Sequence, residues 1–375
     1  MPRQPGHKRG YAASAAVAFP RVEAFLDAIV GSIATHDMTI VRSGDCFEIA
    51  SPYGAANLKV EPGILHLSVE TDSRPALNRL KHALVGPISF IAASEDLVFE
   101  WTGDETGLTP LEDLRVLRVR RASQLTPRVR RIVFTGEDLF RFDREDQLHC
   151  RLIFQPRGVV SPRWPALNDR GHIVWPEHGK LATRVYTIRA IDPAQGQITI
   201  DFALHEHAGP ATRWAVEASE GDIVGIVGPA AEGPKPAQFY VLAGDETGLP
   251  GIARILGRLG ADVRGVAFIE MDGAHEIQPL VHPPDVEVRW LDRKGAEPGT
   301  TALLADAVRS VIWPADLGEA FFWGGCEHRT FRQIHRHLRN DVGLPRQRQV
   351  FYSHWHRSLS EEQIVAVGGE AYLPD

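Results

Sequence analysis

The sequence predicts a multidomain chain: a small α+β N-terminal domain over residues 1–105, an antiparallel β-barrel domain over 106–233, and an α/β parallel-sheet domain over 234–375. Three observations carry that expectation. A chain of 375 residues is longer than one compact core organises. Between 108 and 233, short stretches of apolar alternation separated by turn-forming residues suit antiparallel strands that close on themselves. After 234, wholly apolar runs of strand length alternate with helical patterns, as in a parallel sheet covered on both faces.

In the first domain a helical pattern runs from Arg21 to Thr35. Strands are expected near Met38 to Arg42, Cys46 to Ser51, Asn57 to Val60 and Leu65 to Glu70, then a helix from Arg74 to Ala92 and a last strand from Leu97 to Trp101. No residue of this domain points to a site. Gly103-Asp104-Glu105-Thr106-Gly107 is polar and bounded by glycines, which marks the boundary. Barrel strands are expected at Leu114 to Val119, Val129 to Thr135, Leu148 to Phe154, Arg184 to Arg189, Asp201 to His205 and Asp222 to Val227. Between Gln155 and Ala182, the residues Pro156, Pro162, Pro165, Gly171, Pro176 and Gly179 break any period, so this stretch reads as a loop over the mouth of the site or a surface insert. Gly233-Pro234-Lys235-Pro236 reads as an interdomain linker.

The third domain reads as strand Tyr240 to Ala243, helix 249–259, strands Val263 to Glu270 and Val286 to Leu291, and helix 301–311. Strand Ala320 to Trp323, helix 328–340 and strand Gln349 to His354 follow. The tail from Ser360 reads as a helix capped by that serine, with Glu361 and Glu362 in its first turn.

Composition excludes several classes. A hydrophobic content of 43% and a charged content of 24% are those of a soluble globular protein. The net charge of -7, with no cluster of Lys and Arg among aromatics, argues against a nucleic-acid surface. Cys46, Cys150 and Cys326 are odd in number and far apart, so no disulfide framework is expected and a cytoplasmic location fits. No apolar run approaches membrane-spanning length, and the basic start lacks the apolar core of a signal peptide. His335/His337 and His354/His356 are spaced by two, which shares a face only on a strand, and no strong ligand set accompanies them; no metal site is expected. His354 and His356 fit two readings equally: both facing one cleft as contacts to an acidic substrate, or an exposed strand end. The oligomeric state is left open, a monomer among the options.

Three segments carry the chemistry. Arg184-Val185-Tyr186-Thr187-Ile188-Arg189 sets a cation, an aromatic plane and a hydroxyl along one short strand. That combination seats a flavin: Tyr186 would stack on the flat ring, Arg184 would grip a pyrophosphate, and Thr187 would reach the ring edge where a hydride arrives. By itself the hexapeptide fits an ordinary amphipathic strand as well. Downstream, Gly209-Pro210-Ala211-Thr212 opens a helix whose first amides make an anion seat, although a plain capped helix shares the pattern. Finally, strand Phe239 to Ala243 runs through Gly244-Asp245-Glu246-Thr247-Gly248 into a helix, the strand–turn–helix order of nucleotide binding. The order of the three is more specific than any one of them.

Taken together, residues from about 108 to 358 resemble the siderophore-interacting proteins, FAD-dependent ferric-siderophore reductases related to the ferredoxin-NADP reductases. The resemblance rests on the hexapeptide at 184–189, the segment His205 to Trp214, the string Ala243-Gly244-Asp245-Glu246-Thr247-Gly248-Leu249-Pro250, and Trp323-Gly324-Gly325-Cys326-Glu327 followed by Arg332 and His337-Leu338. The first domain resembles one of unknown function that often accompanies this family. What the resemblance implies is a flavin-binding barrel, an NAD(P)H-binding α/β domain, and NAD(P)H:ferric-siderophore reductase activity that releases iron as Fe(II). Carried onto this sequence, Arg184, Val185, Tyr186, Thr187, Asp201, His205, Gly209, Pro210, Ala211, Thr212 and Trp214 are expected at the FAD. Gly244, Asp245, Glu246 and Thr247 are expected at the nicotinamide nucleotide, with Thr187 and Glu327 nearest the chemistry.

Two departures stand out. The family commonly ends its last strand with Gly-Tyr-Trp and a basic residue, but this chain reads Ser353-His354-Trp355-His356-Arg357, so His354, His356 and Arg357 become the candidate contacts to an acidic substrate. Cys326 stands where glycine is more usual, as a neighbour of the nicotinamide or as a small buried residue. Glu270 favours NADH, whereas Arg289, Arg293 and Lys294 would welcome the 2'-phosphate of NADPH; the sequence leaves both open. Two other readings also stay open: a siderophore-binding protein without reductase activity, and a flavin reductase with a non-iron acceptor.

Overall fold

The computed structural model describes residues 10–34, 38–168, 173–177, 179–204, 209–359 and 363. His205 and the tail from Ser360 expected to form a helix therefore lie outside the described residues, Gln363 apart. The chain divides into two compact units, 1–112 with 161–180, and 113–160 with 181–375. The barrel and the parallel sheet, separated at 233 on sequence grounds, thus share one unit.

The first unit contains β1 (Tyr11–Ala18), α1 (Val22–Ala34), β2 (Thr39–Ser43), β3 (Cys46–Ser51), β4 (Gly54–Glu61), β5 (Ile64–Thr71), α2 (Arg74–Ile91), β6 (Trp101–Gly103) and β7 (Thr109–Pro110). Six strands form one sheet in the order β2-β3-β4-β5-β1-β6. β1 has no counterpart in the sequence reading. Its Ala13, Ala15 and Val17 are buried while the intervening residues are exposed, a strand alternation written in alanine, which has weak strand preference. The last strand begins only at Trp101; Leu97 and Phe99 are buried in the core ahead of it without strand pairing.

The second unit opens with β8 (Arg115–Thr126), β9 (Val129–Gly136) and β10 (Gln147–Phe154). The chain then enters the first unit over 161–180, where β11 (Ala166–Leu167) pairs with β7 and with β12 (Ile173–Val174). A stretch expected to be a loop or surface insert is therefore partly a strand partner. β13 (Thr183–Asp192), β14 (Gln197–Ala203), α3 (Pro210–Glu217) and β15 (Ile223–Glu232) follow, and the six longer strands close a barrel in the order β10-β13-β14-β9-β8-β15. Leu117, Ile132, Phe134, Leu152, Ile188, Ile200 and Phe202 fill its interior.

The remainder is β16 (Phe239–Gly244), α4 (Leu249–Leu256), β17 (Arg264–Met271), β18 (Val286–Asp292), α5 (Leu303–Arg309), β19 (Ala320–Glu327), α6 (His328–His337) and β20 (Gln349–Trp355). The strands are parallel in the order β18-β17-β16-β19-β20, with one core under α4 and another under α5 and α6. Gly251 lets α4 lie flush on the sheet, since a Cβ there would run into the Trp323 ring.

Barrel and sheet are bolted together. The buried Arg254 guanidinium on α4 donates to the carbonyls of Ile188 at 3.1 Å, Phe142 at 3.3 Å and Arg144 at 2.6 Å. The buried Glu276 carboxylate accepts from the Thr126 hydroxyl and from the Arg128 amide at 2.9 Å, and Arg128 reaches Asp272 at 2.7 Å. Among the described residues, no helix is long and apolar enough to cross a membrane.

Candidate functional site

On the barrel, β13 supplies a cation and an aromatic ring beside a helix start. Gly209 caps α3 in extended conformation, Pro210 occupies its first turn, and a Cβ on Gly209 would stand 3.9 Å from an Arg184 terminal nitrogen. The first amides of a helix lack intrahelical acceptors, so guanidinium and helix end together make an anion seat. Thr212 and Trp214 are buried on α3, and Phe154 lies 5.2 Å from Trp214 and 6.5 Å from Tyr186 between ring centroids. Tyr186 leans on Phe202 at 4.5 Å, which fixes its plane. The next residue, Thr187, is buried and stands opposite His149 of β10 in the antiparallel register. Cation, helix end and half-buried aromatic fit an FAD. Val185 is turned outward and 48% exposed.

Asp201, expected at the FAD, has another engagement. It stands opposite Arg131 in the β14–β9 register, and both its oxygens accept from the Arg131 fork at 2.7 Å. Arg189 is 3.7 Å away on the next strand, so the carboxylate serves to pair charges across the barrel wall.

At the carboxyl ends of the parallel strands, the turn after β16 is built around Asp245. Its Oδ1 accepts from the Thr247 amide at 2.9 Å and hydroxyl at 2.5 Å; its Oδ2 accepts from the Glu327 amide at 3.0 Å and Trp355 Nε1 at 2.8 Å. Three segments meet on one carboxylate. Gly244, Gly248 and Gly325 cross here with backbone against backbone, and a Cβ on Gly248 would collide with the Gly325 carbonyl. The Asp245 side chain, expected at the nucleotide, is consumed in shaping the turn, and Glu246 is forked by the fully buried Arg293. What this turn offers a nucleotide is backbone.

Glu327, expected nearest the chemistry, caps α6: Oε2 accepts from the Arg329 amide at 2.6 Å and the Thr330 amide at 3.3 Å, while Oε1 accepts from the Arg357 amide at 3.2 Å. Its buried carboxylate is thereby held by three backbone amides. Cys326 packs into the core beneath α6, and burial pushes its thiol well above the ordinary range, which settles it as a small buried residue.

Of the two readings of His354 and His356, the one in which both face a single cleft does not hold. A register shift between Cys326 and Glu327, where Ser353 pairs with the first and Trp355 with the second, breaks the alternation. His354 turns toward α4: Nδ1 is 3.2 Å from the Thr247 hydroxyl, and Gly325 leaves room for its ring. His356 turns toward α6, stacked on His328 at 5.0 Å. Arg357 pairs with Glu297 and is 55% exposed.

Sequence reasoning missed His149. The residue is 3% exposed, lies 5.5 Å from the His354 ring and 5.1 Å from Tyr352, and stacks on Trp323 at 6.4 Å. Among the described residues neither of its ring nitrogens has a hydrogen-bond partner, nor has His354 Nε2. Burial, with charge from His354 and Arg254 nearby, lowers its pKa to about 3; burial likewise lowers His354 to about 4, against the Thr247 contact. The two rings thus run as neutral imidazoles from Thr187 on the barrel to Thr247 on the sheet. A histidine in an apolar strand was the only trace of this in the sequence.

Comparison with known proteins covers the same region. A family model described as the siderophore-interacting FAD-binding domain matches residues 118–233, and one described as siderophore-interacting protein matches 237–358. A ferric vibriobactin reductase, ViuB, of Vibrio cholerae serotype O1 is 29% identical over 256 residues, which cover 66% of this chain and 91% of that protein. The crystal structure of a siderophore utilization protein from T. fusca superposes with a TM-score of 0.59 at 33% identity, covering 68% of this chain and 97% of that one. The siderophore-interacting protein SipS from Aeromonas hydrophila superposes with a TM-score of 0.58 at 28% identity, covering 70% and 99%.

Proposed function

The chain belongs to the siderophore-interacting protein family, and from that premise we propose that it reduces ferric siderophores with electrons drawn from NADH or NADPH by way of a bound FAD. One observation carries the proposal. Within a single compact unit, a barrel that carries an anion seat beside a fixed tyrosine is joined to the glycine-lined carboxyl edge of a parallel sheet through Thr187, His149, His354 and Thr247. The ferric vibriobactin reductase among the relatives favours the same reaction class.

Arg184 and the first amides of α3 would hold the pyrophosphate, Tyr186 would offer its plane to the isoalloxazine, and Thr187 would lie at the ring edge. When bound, FAD supplies the conversion between a two-electron donor and a one-electron acceptor. The chain's own work is positioning. Asp245 ties the turn, Glu327 and Trp355 into one arrangement, so a nucleotide would meet an edge that is already shaped. His149, Trp323 and Tyr352 exclude water from the barrel–sheet seam. Iron would enter in its chelate, as substrate, and be released on reduction, because hard oxygen donors bind Fe(III) far better than Fe(II); Arg357 and His356 are the candidate contacts to an acidic chelate.

Reconstitution tests the cofactor half of this reading. Purified protein should take up FAD, and Arg184→Ala should weaken retention of FAD more than of riboflavin, which lacks the pyrophosphate. A protein that takes up no flavin would overturn the proposal.

A further inference from the structure

The tip of the second parallel strand concentrates buried charge. Glu246 after β16, Glu270 near the end of β17 and Arg293 just after β18 converge there. Arg293 forks Glu246 through both terminal nitrogens, and its Nη1 stands 3.7 Å from Glu270 Oε1. The Arg293 side chain is fully buried, and those of Glu270 and Glu246 are 6% and 11% exposed. The pairing is incomplete. Two carboxylates share one guanidinium, and burial raises both carboxyl groups above their ordinary range. Arg293 Nε is enclosed without a partner, and the Thr301 hydroxyl stands near Glu270 outside good hydrogen-bonding geometry. A buried polar atom left without a partner is unfavourable, so a ligand rich in hydroxyl groups would complete the cluster.

In an open sheet of this order, a dinucleotide crosses the edge at the switch point between β16 and β19, with its adenosine half over β17. An acid at that tip then meets the adenosine ribose. Of the cations that would welcome a 2'-phosphate, Arg293 is occupied by the two glutamates and Arg289 pairs with Glu287 on its own strand at 2.7 Å, which leaves Lys294 beside the cluster. A 2'-phosphate would bring roughly two negative charges to a place where carboxylates already outnumber the guanidinium. We propose that Glu270 accepts a hydrogen bond from the adenosine ribose 2'-hydroxyl and so makes NADH, rather than NADPH, the electron donor. This rests on the reductase reading above.

The test pairs binding with turnover on the FAD-loaded full chain. Calorimetry should show 5'-AMP binding more tightly than 2',5'-ADP, and kcat/KM should favour NADH over NADPH by at least about tenfold, or about 1.4 kcal/mol. Glu270→Gln keeps the size of the side chain and should bring that ratio to within about threefold, with KM moving more than kcat. If that variant does not fold, Thr301→Val is used instead and should weaken 5'-AMP binding. Preference for 2',5'-ADP and NADPH, an NADH preference unmoved in Glu270→Gln, or, where Thr301→Val is used, unchanged 5'-AMP binding overturns the inference and leaves the reductase reading standing. If neither nucleotide reduces the bound flavin, both fail.

Discussion

Lowering the pH from 7 to 5 should destabilise the second unit through His149, and the size of the effect follows from its surroundings. The ring is lowered to about 3 in the folded chain by burial, with His354 and Arg254 adding to the depression, against an ordinary value of 6.5. Over the interval from 7 to 5 the folded ring stays neutral while the unfolded one takes up a proton. Because the unfolded state binds more protons, stability falls as pH falls, beginning near the unfolded value and continuing to about 3. Integrated between pH 7 and 5, one such group removes about 2 kcal/mol. His354, lowered to about 4, adds a similar loss. The perturbation is His149→Leu, which deletes the titrating ring and sacrifices no hydrogen bond among the described residues. Urea unfolding followed by tryptophan fluorescence is the assay, with Trp323 stacked against the ring as a near reporter. The parent should lose about 2 kcal/mol more than the variant between the two pH values. Equal losses would refute the reasoning, since they would mean that His149 already titrates normally in the folded chain.

Three further outcomes are expected. Tyr186→Ala should weaken FAD retention while leaving the barrel folded; unchanged occupancy would place the isoalloxazine elsewhere. Arg254→Met leaves two buried carbonyls and one part-buried carbonyl without their donor, and should cost about 3–5 kcal/mol and speed proteolytic cleavage of the linker at 233–236; cleavage at the parental rate would show that the Arg254 bonds do not hold barrel to sheet. Gly248→Ala drives a Cβ into the Gly325 carbonyl and should lower thermal stability by about 2–4 kcal/mol, whereas Gly343→Ala, with open space around it but a left-handed backbone, should cost only about 1 kcal/mol.

The fold was legible where apolar period and turn residues agree. The central strands β16 and β19 of the parallel sheet are nearly continuous apolar runs, and glycine or proline punctuates most of the barrel. β1 escaped because its inward residues are mostly alanine, and the pairing of β11 with β7 escaped because two-residue strands leave no period to read. At the site, motif order located the right segments but not where their side chains go. Asp201, Asp245, Glu246 and Glu327 all sit in those segments, yet each carboxylate is engaged by a donor far away in sequence, beside the local donors of Asp245 and Glu327. Such partners are set by register and crossing, which a linear motif does not encode. The shift at Glu327 is the clearest case: beside one slipped pair, His354 turns to Thr247 while His356 turns to His328.

The central claim is that electrons pass from a nicotinamide nucleotide through FAD to a ferric siderophore, and one anaerobic titration tests it directly. FAD-loaded protein is reduced with NADH or NADPH, then mixed with a ferric siderophore in the presence of an Fe(II)-specific dye, and the visible spectrum is followed. The account predicts that the nucleotide bleaches the flavin absorbance, that the ferric siderophore restores it, and that about two Fe(II) appear per flavin reoxidised. Flavin that the nucleotide bleaches but the ferric siderophore leaves bleached, with no Fe(II) formed, would contradict it.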